Sequence, residues 1–261
     1  MKVVILAGGF GTRISEESHL KPKPMIDIGN MPIIWHIMKT YSHYDYNDFI
    51  IAAGYKQEII KQWFVNYLYY RNDITVTFGA NRDGIIVHPT NYQEPWNVTI
   101  VDTGLGTQTG GRIKRLQPYI GNEPFMVTYG DGVANIDIQE IVDQFYDTNP
   151  IGVISTYNYQ QNKGVVDVSD DNKILAFREK SEADSRLINI GYMVFNPCVF
   201  EYLIDDTTVL EKDCLPKLAA AGQLEAYHHD GFWQCMDTIR EKQLLEKLWN
   251  EGNPPWKIWE D

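Results

Sequence analysis

Hydrophobic positions along the chain fall into two alternating periods. Short runs rich in Val, Ile and aromatic residues read as strands buried on both faces: KVVILA (2–7), DFIIAAGY (48–55), NVTIVDTG (97–104), PFMVTYGDG (124–132) and IGVISTYNY (151–159). Between them lie stretches with apolar residues at helical spacing. PIIWHIMKTYSHY (32–44) carries Ile33, Ile34, Ile37, Met38 and Tyr41, and KQEIIKQWFVNYL (56–68) and IDIQEIVDQFYDTN (136–149) repeat the pattern. The alternation predicts βα units that build an α/β fold, a mostly parallel, Rossmann-like sheet flanked by helices.

The texture becomes β-rich from about residue 164. GVVDVSDDNKILAFREK (164–180) predicts a hairpin turning at Asp170–Asn172, and LINIGYMVFNP (187–197) a further strand. CVFEYLI (198–204) and DCLPKLAAAGQ (213–223) read as helical, LEAYHHDGFWQCMD (224–237) as a strand, and TIREKQLLEKLW (238–249) as the closing helix. Earlier, DITVTFG (73–79) is a strand before the polar stretch ANRDGIIVHPTNYQEPW (80–96), and LGTQTGGRIKRLQPYI (105–120) is a Gly/Thr-rich loop that opens a helix. No repeat or low-complexity linker divides the chain, so residues 1–261 are expected to form a single domain.

The first strand breaks into LAGGFGTR, a glycine loop that invites an anion. A dinucleotide fingerprint fails because Ile14 stands where the third glycine belongs. A Walker A loop fails because the chain has no Gly-Lys dipeptide, and the kinase motifs His-Arg-Asp and Asp-Phe-Gly are absent. What remains is a loop whose backbone can approach a polyphosphate, with Arg13 as a bidentate cation beyond it. Lys23 stands between Pro22 and Pro24, on stiff backbone. Both cations suit phosphoryl or nucleotidyl chemistry.

Composition narrows the partners. Lys+Arg of 23 against Asp+Glu of 35 gives a net charge of −12, which argues against a nucleic-acid footprint but leaves room for a nucleotide-sized anion. No stretch approaches the roughly 20 apolar residues of a membrane span, so no membrane partner and a cytoplasmic setting are expected. Three cysteines without C-x-x-C spacing read as reduced thiols, and the six histidines form no metal-spaced cluster.

Anionic reactants meeting at phosphorus need a divalent cation, and Mg²⁺ takes few carboxylates beside phosphate oxygens and water. Asp131, in TYGDG at a strand end, and Asp237, in GFWQCMDT, are the candidate ligands. Asp131 also reads as a turn aspartate, and Asp237 also reads as the N-cap of the closing helix.

LAGGFGTR followed by KPKPM resembles the signature of the sugar-1-phosphate nucleotidyltransferase family. EPWNVTIVDTG, TGGRIKR, TYGDGV and GFWQCMDT extend the resemblance over essentially the whole chain and are similar to its cytidylyl branch. The resemblance implies a glycosyltransferase A-like fold, with a nucleotide part at about 1–163 and a sugar-side and C-terminal part at about 164–261. It implies transfer of a cytidylyl group from CTP to glucose 1-phosphate, giving CDP-glucose and pyrophosphate for deoxysugar or surface-polysaccharide synthesis.

Leu6, Ala7, Gly8, Gly9, Phe10, Gly11, Thr12, Arg13 and Lys23 would line the triphosphate, with Arg13 and Lys23 catalytic. Thr107, Arg112 and Asp131 would complete the nucleotide site, Asp131 and Asp237 would bind Mg²⁺, and Glu179, Lys180 and Asn189 would face the sugar phosphate. Glu179 and Lys180 read otherwise as an exposed hairpin pair. Association into homo-oligomers, commonly hexamers, is implied as well. Two alternatives stay open: a uridylyl- or thymidylyltransferase on the same scaffold, or a non-catalytic nucleotide-binding subunit. The sugar side departs from the family's usual spelling at Ile190, which precedes Gly191 in place of a second glycine.

Overall fold

β1 (Lys2–Ala7) is buried from Val3 onward because it runs through the middle of a sheet covered on both faces. A computed structural model of the chain describes residues 1–79, 84–88, 94–159, 165–168, 173–178 and 186–260; the side chains of residues 13, 15, 16, 165–168, 174, 176–178 and 186 lie outside the description. β2 (Asp48–Ala53) and β6 (Phe125–Tyr129) flank β1 in parallel, and β5 (Asn97–Asp102) extends the sheet beyond β2. On the other side β11 (Arg186–Phe195) runs antiparallel between β6 and β8 (Gly152–Tyr159), and β12 (Leu224–His229) pairs with β8 in parallel. The seven-stranded order is β12-β8-β11-β6-β1-β2-β5, mostly parallel with one reversed strand.

Alternate residues of β1 feed two cores. Val3, Ile5 and Ala7 pack with α1 (Ile33–Ser42), α4 (Ile138–Thr148) and α6 (Ile239–Asn250), while Val4 and Leu6 face Ile113 of α3 (Thr109–Arg115) and Leu215 and Leu218 of α5 (Leu215–Ala220). α4 buries Ile138, Ile141, Val142 and Phe145 at helical spacing, and the Asp137 side chain accepts from the Glu140 N–H at 3.1 Å to cap it. α1 is buried nearly all round, His36, Lys39 and Thr40 included, although the apolar spacing of its sequence marks a single face.

Several expected elements take another form. The polar stretch 80–96 contains β4 (Gly84–His88), which pairs antiparallel with β3 (Asp73–Thr77) in an exposed ribbon after α2 (Gln57–Arg71). The expected strand over 224–237 is two: β12 joins the large sheet, and β13 (Trp233–Cys235) pairs with β7 (Gly132–Ala134). Pro197–Glu201 is a short 3₁₀ turn, and the helix at 213–223 shrinks to α5 after a π turn over Leu210–Cys214. β9 (Val165–Val168) and β10 (Ile174–Arg178) form the expected hairpin, whose turn at Asp170–Asn172 lies outside the described residues. Among the described residues no helix is long and apolar enough to cross a membrane.

Candidate active site

The order of the strands locates the site. β2 lies on one side of β1 and β6 on the other, so a crevice opens at their carboxyl ends where the chain switches sides. A cavity of about 440 Å³ occupies it, lined by residues 6–12, Lys23, Leu105–Thr109, Arg112, Tyr129–Asp131 and Asp237. Of the residues singled out in the sequence, Leu6, Ala7, Gly8, Gly9, Phe10, Gly11, Thr12, Lys23, Thr107, Arg112, Asp131 and Asp237 converge here. Arg13 lies in the one-turn helix Thr12–Ile14, and its side chain is outside the description. Glu179 and Lys180 lie outside the described residues.

Two glycines of the loop are required for different reasons. Gly11 has φ +63°, in the left-handed region, whereas a Cβ on Gly8 would stand 2.1 Å from Nη1 of Arg112. Arg112 is itself buried. Its Nη1 donates to Thr103 Oγ1 and to the Gly104 carbonyl, each at 2.7 Å, and Nη2 donates to the Gly8 carbonyl at 3.0 Å. Burial, then the neighbouring Arg115, lowers its pKa. The guanidinium therefore ties the glycine loop to the turn after β5, and shapes this wall of the crevice through the backbone. Thr107 is buried in the same turn, where a Cβ on Gly104 would come within 2.8 Å of its hydroxyl.

The acidic side is built by the β7–β13 ribbon. Gly132 pairs with Cys235, and the Met236 N–H donates to the Asp131 carbonyl at 2.8 Å, which carries Asp237 alongside Asp131. Thr238, not Asp237, caps α6: its hydroxyl accepts from the Glu241 N–H, while Glu241 accepts from the Thr238 N–H at 2.8 Å and the Asp237 N–H at 2.7 Å. The Asp237 carboxylate is thereby turned to the crevice. Between the two aspartates stands Lys23, whose Nζ donates to Asp131 Oδ2 at 2.6 Å and to Asp237 Oδ1 at 2.5 Å. Its backbone starts the turn Lys23–Met25 after extended Pro22, and Pro24 packs where a Cβ on Gly130 would meet it at 2.9 Å. The Lys23 side chain is only 12 % exposed. Burial acts to lower its pKa, but the charges and hydrogen bonds of Asp131 and Asp237 outweigh it and raise the pKa. Cys235, beside this pair, has its thiol pushed up to about 12 by burial and the nearby Glu241 and Asp237 carboxylates, which keeps it an inert thiol.

Tyr129 and Glu211 were not singled out in the sequence. The Tyr129 hydroxyl donates to Glu211 Oε1 at 2.5 Å, and Thr109 Oγ1 donates to Oε2 at 2.7 Å. Burial and then Glu211 raise the tyrosine's pKa, so the ring stays neutral. Tyr129 sits inside the TYGDG motif and was reachable from it; Glu211 has no local signal. Asn189 approaches the same wall, its Oδ1 accepting from the Gly191 N–H at 2.9 Å. Gly191 has φ +87° and a Cβ there would meet Tyr129 Cδ2 at 2.2 Å, whereas Ile190 is core. A single glycine at 191 therefore satisfies this strand.

The carboxylate oxygens of Asp131 and Asp237, gathered round one cation, are a donor set suited to a hard divalent ion that shares its shell with phosphate and water. Among the described residues no cluster of three or more His, Cys, Asp or Glu side chains offers a closed metal cage.

Residues 2–261 match the family model described as nucleotidyl transferase. The chain is 46% identical to "Glucose-1-phosphate cytidylyltransferase" of Salmonella typhi over the full length of both proteins. It is 39% identical to "Probable glucose-1-phosphate cytidylyltransferase" of Bacillus subtilis, over 99% of this chain and 100% of the relative. A crystal structure of UDP-glucose pyrophosphorylase complexed with UDP-glucose superposes with a TM-score of 0.69 at 18% identity, covering 96% of this chain and 98% of that one, a likeness of fold alone.

Proposed function

Because the chain belongs to the nucleotidyl transferase family, we propose that its crevice is the site of cytidylyl transfer from CTP to glucose 1-phosphate. The protein is a glucose-1-phosphate cytidylyltransferase in activity, forming CDP-glucose and pyrophosphate. The observation that carries the site assignment is the convergence of Lys23, Asp131 and Asp237 beside the glycine loop at the strand switch point.

In this reading a sugar-phosphate oxygen attacks the α-phosphorus of CTP and pyrophosphate leaves in line, with no protein nucleophile. The loop from Gly8 to Thr12 holds the triphosphate through its backbone, Arg13 takes the leaving pyrophosphate, and Lys23 neutralises the α-phosphate. Glu179 and Asn189 orient the sugar and Lys180 its phosphate. Asp131 and Asp237 would hold Mg²⁺, which when bound neutralises phosphate charge. Arg112 fixes the shape of the pocket that receives the cytidine.

Self-association, as a hexamer by family resemblance, belongs to the same proposal. α2 turns Val65, Leu68 and Tyr70 to solvent, and the β3–β4 ribbon exposes Ile74, Val76, Ile85 and Ile86. A groove of about 360 Å³ between α2 and edge strand β5, lined by Phe64, Leu68, Trp96 and Ile100, continues that apolar face. A CTP supply and reduced thiols suit a cytoplasmic setting.

The test is a pyrophosphate-release assay crossing CTP, UTP, dTTP, ATP and GTP with several sugar 1-phosphates, with Mg²⁺ and with EDTA. Release is expected with CTP and glucose 1-phosphate and lost in EDTA. Release with UTP and none with CTP would overturn the cytidylyl reading, and release unaffected by EDTA would overturn the metal role.

A further inference from the structure

The Lys23 ammonium occupies the point on which Asp131 and Asp237 converge, with Nζ 2.6 Å from one carboxylate and 2.5 Å from the other. We infer that Lys23 is a resident counter-ion that keeps a divalent cation off the two aspartates until a nucleotide arrives, so that metal and nucleotide enter together. The inference rests on the reading of the aspartates as metal ligands given above.

Two carboxylates brought side by side in a half-buried crevice repel each other unless a cation stands between them. Lys23 supplies that cation from the chain itself. Two of its three N–H donors are spent on Asp131 Oδ2 and Asp237 Oδ1, the oxygens a divalent ion would need. A second cation placed on those oxygens would lie within a few ångströms of the ammonium and be repelled. The backbone round Lys23 is held by Pro22 and by buried Pro24, so the ammonium, on its four-carbon stem, shifts between neighbouring anions from a fixed anchor.

An incoming triphosphate changes the balance. Its α-phosphate offers the ammonium a new anion, and when Nζ moves to it both carboxylates are released together. Nucleotide then raises metal affinity, and by linkage metal raises nucleotide affinity by the same factor. A lysine in this role would also spare the free enzyme from being filled by whichever divalent ion is abundant.

The test measures Mn²⁺ binding to the nucleotide-free protein, from loss of the free-ion electron paramagnetic resonance signal. Wild type, Lys23→Gln, Lys23→Arg and the double variant Lys23→Gln/Asp131→Asn are compared. Lys23→Gln is expected to bind Mn²⁺ roughly tenfold tighter than wild type, within the usual range of coupling between sites. Lys23→Arg, which keeps the charge, should stay weak, and the double variant should lose the gain. Equal affinity in wild type and Lys23→Gln, or a gain that survives Asp131→Asn, overturns the inference.

If Lys23→Gln fails to fold by circular dichroism, wild type decides through α,β-methylene-CTP. Binding of that analogue must be strengthened by Mn²⁺, and Mn²⁺ by the analogue beyond its affinity for the free nucleotide; independence of the two overturns the inference. Absence of CTP turnover with the Mn²⁺ pattern intact would instead remove the functional reading alone.

Discussion

His36 is a histidine that the fold keeps neutral, and its protonation should destabilise the protein in a defined pH window. It lies on α1 with its ring wholly buried among Trp35, Trp249, Trp256 and Trp259. The Ile28 carbonyl, 3.0 Å from Nε2, can only accept, and the Trp256 indole N–H, 3.4 Å from Nδ1, can only donate, so the ring is the neutral tautomer protonated on Nε2. Burial in this cage outweighs the carbonyls of Ile28 and Met31 and lowers the pKa from 6.5 to about 4.

A lowered folded pKa means that the unfolded chain binds more protons between the two values. The neutral ring's stabilisation is thus present above about pH 6.5 and is lost as pH falls toward about 4. At about 1.4 kcal/mol per unit the full loss is about 3 kcal/mol, of which about 2 kcal/mol falls between pH 7 and pH 5. Urea unfolding at those two pH values should show that loss, and His36→Gln, although less stable throughout, should show a pH dependence smaller by the same amount. A ring pKa above 6 for His36 by NMR, or an unchanged pH dependence in His36→Gln, would refute the reasoning.

The remaining expectations concern the site and the outer face. Lys23→Ala should fold and lose roughly 100-fold in turnover, the scale of a removed electrostatic stabiliser, as read by pyrophosphate release; near-normal turnover would remove the lysine from the chemistry. Gly191→Ala must adopt φ +87° and displace the Tyr129 ring from its hydrogen bond to Glu211, so it should cost about 1–2 kcal/mol in urea unfolding and raise KM more than it lowers kcat. A Gly191→Ala enzyme with wild-type stability and KM would show that Tyr129 has room to move. Val65→Asp with Leu68→Asp, both on the exposed face of α2, should reduce the sedimenting mass toward that of the monomer, and an unchanged mass places the interface elsewhere.

The central strands were legible because both their faces are covered, which writes them as unbroken apolar runs. β4 was not: GIIVH lies in an otherwise polar stretch, and its ribbon with β3 is exposed, so neither face imposes a pattern. The segment 224–237 looks continuous in hydrophobicity but turns at Gly231, where a Cβ would meet Asn135 Oδ1 at 2.3 Å, and its halves join different sheets. The glycine loop, Lys23 and the two aspartates were legible because each carries its chemistry within a few neighbouring residues. Arg112 lines the crevice, but its hydrogen bonds were hidden from the sequence, since its partners Gly8, Thr103 and Gly104 come from separate strand ends that only the folded sheet brings together.

The two walls of the crevice differ in how firmly they are held, and that difference bears on the chemistry. The glycine-loop wall, proposed above to receive the nucleotide, is anchored on backbone carbonyls through a buried guanidinium, so on that reading CTP meets a preformed surface. The acidic wall, proposed above to hold the metal, is held by one ammonium between two side chains, an arrangement that a competing anion is expected to open. A phosphate chain is such an anion, whereas a free sugar is not. On the proposed reading the triphosphate, seated on the rigid wall, draws the ammonium off the acidic one and brings its metal with it, so that the charges needed at phosphorus are assembled in one binding step.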